Sequence, residues 1–138
     1  MSSALKKTPT TIVLAPDVLA KSFFDPACRR VMEAWRDGAF HIVVSPQLLR
    51  FYARILRDLG VPEVQIRRWL QWFTASEKSL VLPTPASTKQ SLVMVLLDTA
   101  QRSGTLEIAT TSIPSPIERE DRSVAWLHVN DFAHRLDP

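Results

Sequence analysis

Very little in this chain could lock it covalently or through a structural metal. Its 138 residues include one cysteine, Cys28, so no intrachain disulfide can form. A single thiol is compatible with a reducing compartment. The histidines (His41, His128 and His134) have no Cys or acid beside them at zinc spacing and read as structural. No apolar run nears the roughly 20 residues that span a bilayer, and the longest is "LVMVLL" at 92–97. The opening "MSSALKKTPT" lacks the apolar stretch of a secretion signal. These absences point away from a membrane and toward a cytoplasmic protein. There is also no internal repeat, low-complexity tract or dividing linker.

The remaining composition is that of a globular domain. Hydrophobic residues make up 46% and charged residues 22%. The length suits one domain, long enough to bury a core unaided. The expected organisation is a flexible segment over 1–10 and a single domain over 11–138. The net charge of +3 permits nucleic-acid binding without demanding it.

Short apolar, β-branched runs alternate with longer segments of helical spacing. Strands are expected at 11–15, 40–44, 79–83, 106–111 and 124–129, because these runs are apolar throughout rather than alternating. Helices are expected between them. Asp17 is the expected cap of the first. Ser45-Pro46 reads as an N-cap followed by proline at the first helical position. Ser87 or Thr88 is expected to cap a helix over 89–102, and Asn130 a short final one. The three glycines, Gly38, Gly60 and Gly104, each stand where a helix should stop. Such alternation argues for an α/β fold, a three-layer α/β/α arrangement around a mainly parallel sheet.

Four stretches then stand in a meaningful order: Ala15-Pro16-Asp17-Val18 after the first strand, "VVSPQLLRFYARIL", Ala109-Thr110-Thr111-Ser112 after a late strand, and "LHVNDFAHRL" near the end. In this order and spacing, residues 11–136 resemble the PIN-domain family, most of all its bacterial toxin-antitoxin branch. The resemblance implies a PIN-like fold and an ancestry in metal-dependent RNA cleavage. Family members gather three or four carboxylates around one or two divalent cations. Mg²⁺ and Mn²⁺ take hard oxygen ligands, generate a hydroxide and offset charge on the phosphodiester.

Carried over position by position, the family's acids fall on Ala15, Phe51, Val93 and Ser112, and the asparagine that follows the first acid falls on Asp17. Shifting the register by one at Ala15, Phe51 or Val93 meets no acid. The resemblance therefore implies a pseudonuclease with no cofactor, a non-catalytic module for a protein partner, a second copy of itself (a homodimer) or nucleic acid. The alternative is an active ribonuclease using Mg or Mn with acids relocated among Asp17, Asp98, Glu107, Glu118, Glu120 and Asp121.

Five of these acids also have a plainer reading. Asp17 fits a helix cap. Asp98 fits an i,i+4 pair with Arg102. Glu118, Glu120 and Asp121 fit a solvated mixed-charge run. Cys28 precedes Arg29 and Arg30 at a helix start, where a thiolate is favoured, but it has no His partner and reads as inert. The binding candidates are Arg29, Arg30, Arg50, Arg54, Arg67, Arg68 and Trp72. The 62–77 segment carries Arg67 and Arg68 beside Trp69 and Trp72, types enriched in interaction hot spots and able to stack on bases.

Overall fold

Runs of three or four residues form the strands: β1 (Thr11–Leu14), β2 (His41–Val44), β3 (Ser79–Val81), β4 (Glu107–Thr110) and β5 (Ala125–His128). The computed structural model describes residues 10–75, 77–83, 91–105, 107–114 and 124–136. In β1, β2 and β4 every residue after the first is buried, as expected of strands covered on both faces. The strands form one sheet in the order β3-β2-β1-β4-β5, with every neighbouring pair parallel.

The helices are α1 (Pro16–Lys21), α2 (Pro26–Arg36), α3 (Pro46–Asp58), α4 (Glu63–Ala75), α5 (Leu92–Ser103) and α6 (Val129–Leu136). α2 packs on α6 and α3 on α5, giving a three-layer α/β/α fold. Proline at the first position sets φ for α1, α2 and α3 where no N–H is needed. Ser45 caps α3 by accepting the Leu48 N–H. Gly104 closes α5 with φ 71°, in the left-handed region that side chains avoid.

Some boundaries differ from expectation. α1 begins at Pro16, and its cap position is Ala15, which has no side-chain acceptor. α5 is capped by Ser91, whose hydroxyl accepts the Met94 N–H. The expected caps Ser87 and Thr88 lie outside the described residues. Asn130 lies inside α6 rather than ahead of it, because the helix runs on directly from β5 at Val129. The third strand stops at Val81.

Aromatic side chains of α2, α3 and α4 meet in the core. The fully buried Trp35 stacks on Phe73 at 5.0 Å and meets Trp72 edge-on at 5.8 Å. Its indole N–H donates to the Lys78 carbonyl at 2.9 Å. Tyr52 tilts against Phe73 from the other side, also at 5.0 Å.

Candidate functional site

Connectivity reverses at β1, which has β2 on one side and β4 on the other. In open α/β sheets, ligand crevices form at such a switch point, beyond the carboxyl ends of the strands. Here that place is bounded by Ala15-Pro16-Asp17 after β1 and Thr110-Thr111-Ser112 at the end of β4. Two of the positions singled out by sequence, Ala15 and Ser112, therefore lie on the neighbouring turns that Asp17 joins.

Hydrogen bonds join the two turns. The Ala15 N–H donates to the Ala109 carbonyl at 2.9 Å, carrying the ladder one step past β1. The Asp17 carboxylate then accepts from the Thr110 hydroxyl at 3.1 Å, the Thr111 N–H at 3.2 Å and the Thr111 hydroxyl at 2.7 Å. Lys21, one turn along α1, donates to the Thr111 hydroxyl at 3.1 Å. The Ser112 N–H is held by the Thr110 hydroxyl at 3.1 Å. Asp17 is thus not the cap of α1; its Oδ2 is held by the β4 turn. It crosses from α1 to the β4 turn, because the carboxylate gains three donors there that its own helix end would not supply.

Behind it, Ala15 is only 2% exposed. The buried Tyr52 hydroxyl donates to the Leu14 carbonyl at 2.6 Å and fixes the end of β1. Burial, with the Asp17 charge adding to it, pushes the Tyr52 phenol well above the usual tyrosine range. The phenol therefore stays a neutral donor. Its contribution is complete below the unfolded tyrosine pKa of about 10 and is lost progressively as pH rises above that value toward the higher folded pKa, because the unfolded chain ionises first. Tyr52→Phe is expected to lose about 1–2 kcal/mol in urea titrations at pH 7, because the Leu14 carbonyl is left buried and unpaired. As Tyr52 is the chain's single tyrosine, tyrosinate absorbance in the parent should appear only with unfolding.

Phe51 and Val93, the other two positions that the resemblance singled out, are apolar. Phe51, half-buried on α3, lines a cavity of about 190 Å³ with Pro16, Arg54, Ile55, Asp58 and Leu92. Val93, in the first turn of α5, packs against the core. Two buried hydroxyls, Ser45 and Thr99, lie 2.9 Å apart and join α3 to α5. Thr99 donates to the Val95 carbonyl, so Ser45 donates to Thr99, and both are satisfied.

Among the described residues, the relocated acids Asp17, Asp98 and Glu107 do not assemble. Asp98 pairs with Arg102 at 3.1 Å, as the i,i+4 spacing suggested. Glu107 sits at the amino end of β4, the opposite edge from the crevice, and pairs with Arg135 at 2.7 Å. Glu118, Glu120 and Asp121 lie outside the described residues. Among the described residues, no three His, Cys, Asp or Glu side chains converge as a metal site. The His128 ring nitrogen Nδ1 accepts the Asn130 N–H, a local structural role. Burial pushes the Cys28 thiol up to about 12, with its hydrogen bond to Asp25 adding to the effect, so the helix start does not produce a thiolate.

The basic candidates separate into three groups. Arg29 donates to the Ser22 and Phe23 carbonyls and closes the turn after α1, beside the half-buried Arg30. Arg50 and Arg54 are exposed one turn apart on α3, and Arg54 reaches the Phe51 cavity. On α4, the exposed Arg67 and Arg68 flank Trp72, which is half-exposed. Arg68, Gln71, Trp72 and Ala75 line an open concavity of about 360 Å³. Sequence reading missed Arg36, whose guanidinium lies 4.8 Å over the Trp72 ring. It also missed the Thr110–Thr111 clasp. Neither had a local signal, since each contact joins distant segments. Searches of protein-family models, curated proteins and solved structures match nothing to this chain.

Proposed function

We propose that this chain is a PIN-like pseudonuclease, a domain that binds and does not cleave. One observation carries the reading: the switch-point crevice, where a nuclease of this plan would gather acids, holds Ala15, Ser112 and an Asp17 already committed to three hydrogen bonds. Phe51 and Val93 extend the same replacement on α3 and α5. Removing clustered carboxylates relieves their mutual repulsion and the desolvation of buried charge. What remains suits a scaffold.

The binding face in this reading is the α4 concavity. Trp72 offers a flat, half-exposed ring, Arg36 polarises it, and Arg68 and Gln71 supply donors. Such a face takes an anionic partner, a protein acid or a nucleic-acid strand. A Mn²⁺ titration by calorimetry, with RNA cleavage assayed on the same sample, tests the function. The expected outcome is no saturable micromolar binding and no cleavage above the protein-free control. Either activity sinks the pseudonuclease reading and favours relocated acids. Retention of RNA that weakens steeply with salt and falls in Trp72→Ala would identify the strand as the partner.

A further inference from the structure

The α4 concavity admits two kinds of anionic partner on chemistry alone, and the geometry around Trp72 separates them. An aromatic row runs from Phe23 through Trp69 to Trp72, with ring centroids 6.2 and then 5.5 Å apart. The rings turn by 80° at the first step and 50° at the second, so they offer no common plane for successive bases. Trp72 is 40% exposed, and the Arg36 guanidinium lies over its ring at 4.8 Å. A base stacking on that face must first displace the cation already there.

The placement of charge favours the same partner. A nucleic-acid strand is followed along its backbone by a track of Lys and Arg. Here Arg57, Arg102 and Arg135 are drawn into pairs with Glu63, Asp98 and Glu107, and Arg29 closes the turn after α1. At the concavity, Arg36 and Arg68 are exposed, and among the described residues neither has a carboxylate within ion-pair distance. Glu33, one turn before Arg36, and Asp37 after it are both exposed. They would repel a continuous run of phosphates and still leave Arg36 open to a single carboxylate.

Arg36 is also held in place. Trp72 beneath it rests edge-on against the buried Trp35 at 5.8 Å, and the Lys78 ammonium donates to the Arg36 carbonyl at the end of α2. A guanidinium stacked on an aromatic ring keeps its edge N–H groups for a planar acceptor, and its fork matches a carboxylate through two parallel bonds.

We propose, resting on the α4 concavity as the binding face, that its partner is an acidic peptide segment. One carboxylate of that segment pairs bidentate with Arg36, Arg68 adds a second charge contact, and an apolar neighbour packs against the exposed edge of Trp72 beside Ala75.

NMR titration of the isotope-labelled full chain reads this site through the Trp72 indole and Arg36 Nε–H signals. The probes are a peptide of alternating Glu and Leu, its Gln–Leu counterpart, and single-stranded oligouridine. The Glu–Leu peptide should shift both signals saturably, and the Gln–Leu peptide should bind at least about tenfold more weakly, because the charge-assisted bonds are lost. Arg36→Gln should weaken Glu–Leu binding by a similar factor, and Arg36→Lys should not restore it, since an ammonium has no fork. Both variants should keep the parent's melting temperature, because the side chain is exposed. A Glu–Leu peptide that binds no better than its Gln–Leu counterpart overturns the proposal, as does binding indifferent to Arg36→Gln. Oligouridine shifting Trp72 where the peptide does not would keep α4 as the binding face and overturn the acidic peptide. Silence of Trp72 toward both probes overturns the binding face itself.

Discussion

Ala15→Asp, which supplies the first acid that the proposed pseudonuclease reading counts as missing, is expected to destabilise the fold by about 3–5 kcal/mol, the range for an uncompensated buried charge. Ala15 is almost fully buried, its N–H is bonded to Ala109, and the Asp17 carboxylate lies two residues on, its Oδ2 already held by Thr110 and Thr111. A new carboxylate there meets apolar walls and a like charge. Its folded pKa must therefore lie above the ordinary Asp value of about 3.9. The penalty should be smallest below that pH and grow as pH rises above it, since only the unfolded chain ionises freely. Ala15→Asn separates charge from size and should lose less, nearer the 1–3 kcal/mol of an unpaired buried amide, with no such pH dependence. Urea titrations at pH 4, 5.5 and 7 measure all three. An Ala15→Asp chain as stable as its parent at pH 7 would mean that the crevice admits water and ions, and the pseudonuclease reading would lose its main support.

The second large effect is expected from Trp35→Ala, at about 3–5 kcal/mol, the range for emptying a buried aromatic site. Trp35 joins three elements. Its ring stacks on Phe73 of α4, its edge meets Trp72, and its N–H holds the Lys78 carbonyl ahead of β3. Against a typical total of about 5–15 kcal/mol, that loss leaves little margin. Trp35→Phe should recover part of the packing but not the hydrogen bond. The variant also reaches function. Trp72 rests on Trp35, so if the α4 concavity binds a partner, Trp35→Phe should weaken binding without touching the ligand. A Trp35→Ala chain that keeps its urea midpoint would contradict the packing described for this core.

The elements of the fold were legible because each has a local cause. Buried parallel strands need continuous apolar runs, and "TIVL", "HIVV" and "EIAT" are such runs. Ser45-Pro46 and Gly104 act on backbone atoms a few residues away, so their effect can be read in place. The site was legible only in outline. That the turns carrying Ala15 and Ser112 lie side by side follows from strand order. That Asp17 leaves its own helix for Thr110 and Thr111 does not, because the donors lie more than ninety residues away in sequence. Arg36 over Trp72 is hidden for the same reason. Where several hydroxyl residues stand together before a helix, as at 87–91, each is a credible cap, and packing selects the one used, Ser91.

The position of β1 governs how the chain must be made. It is the centre of the sheet, and its register joins Val13 to Ile108 and Leu14 to Ala109. On a ribosome, β1, β2 and β3 can form half a sheet once Val81 has emerged, but the other side of β1 stays open for about 27 further residues. At roughly 5–20 residues per second, that edge waits on the order of one to five seconds. An unpaired apolar strand invites pairing with another nascent chain. The N-terminal half alone is thus the aggregation-prone form of this protein, and its yield in a cell should respond to chaperone supply and translation speed more than to the stability of the finished domain.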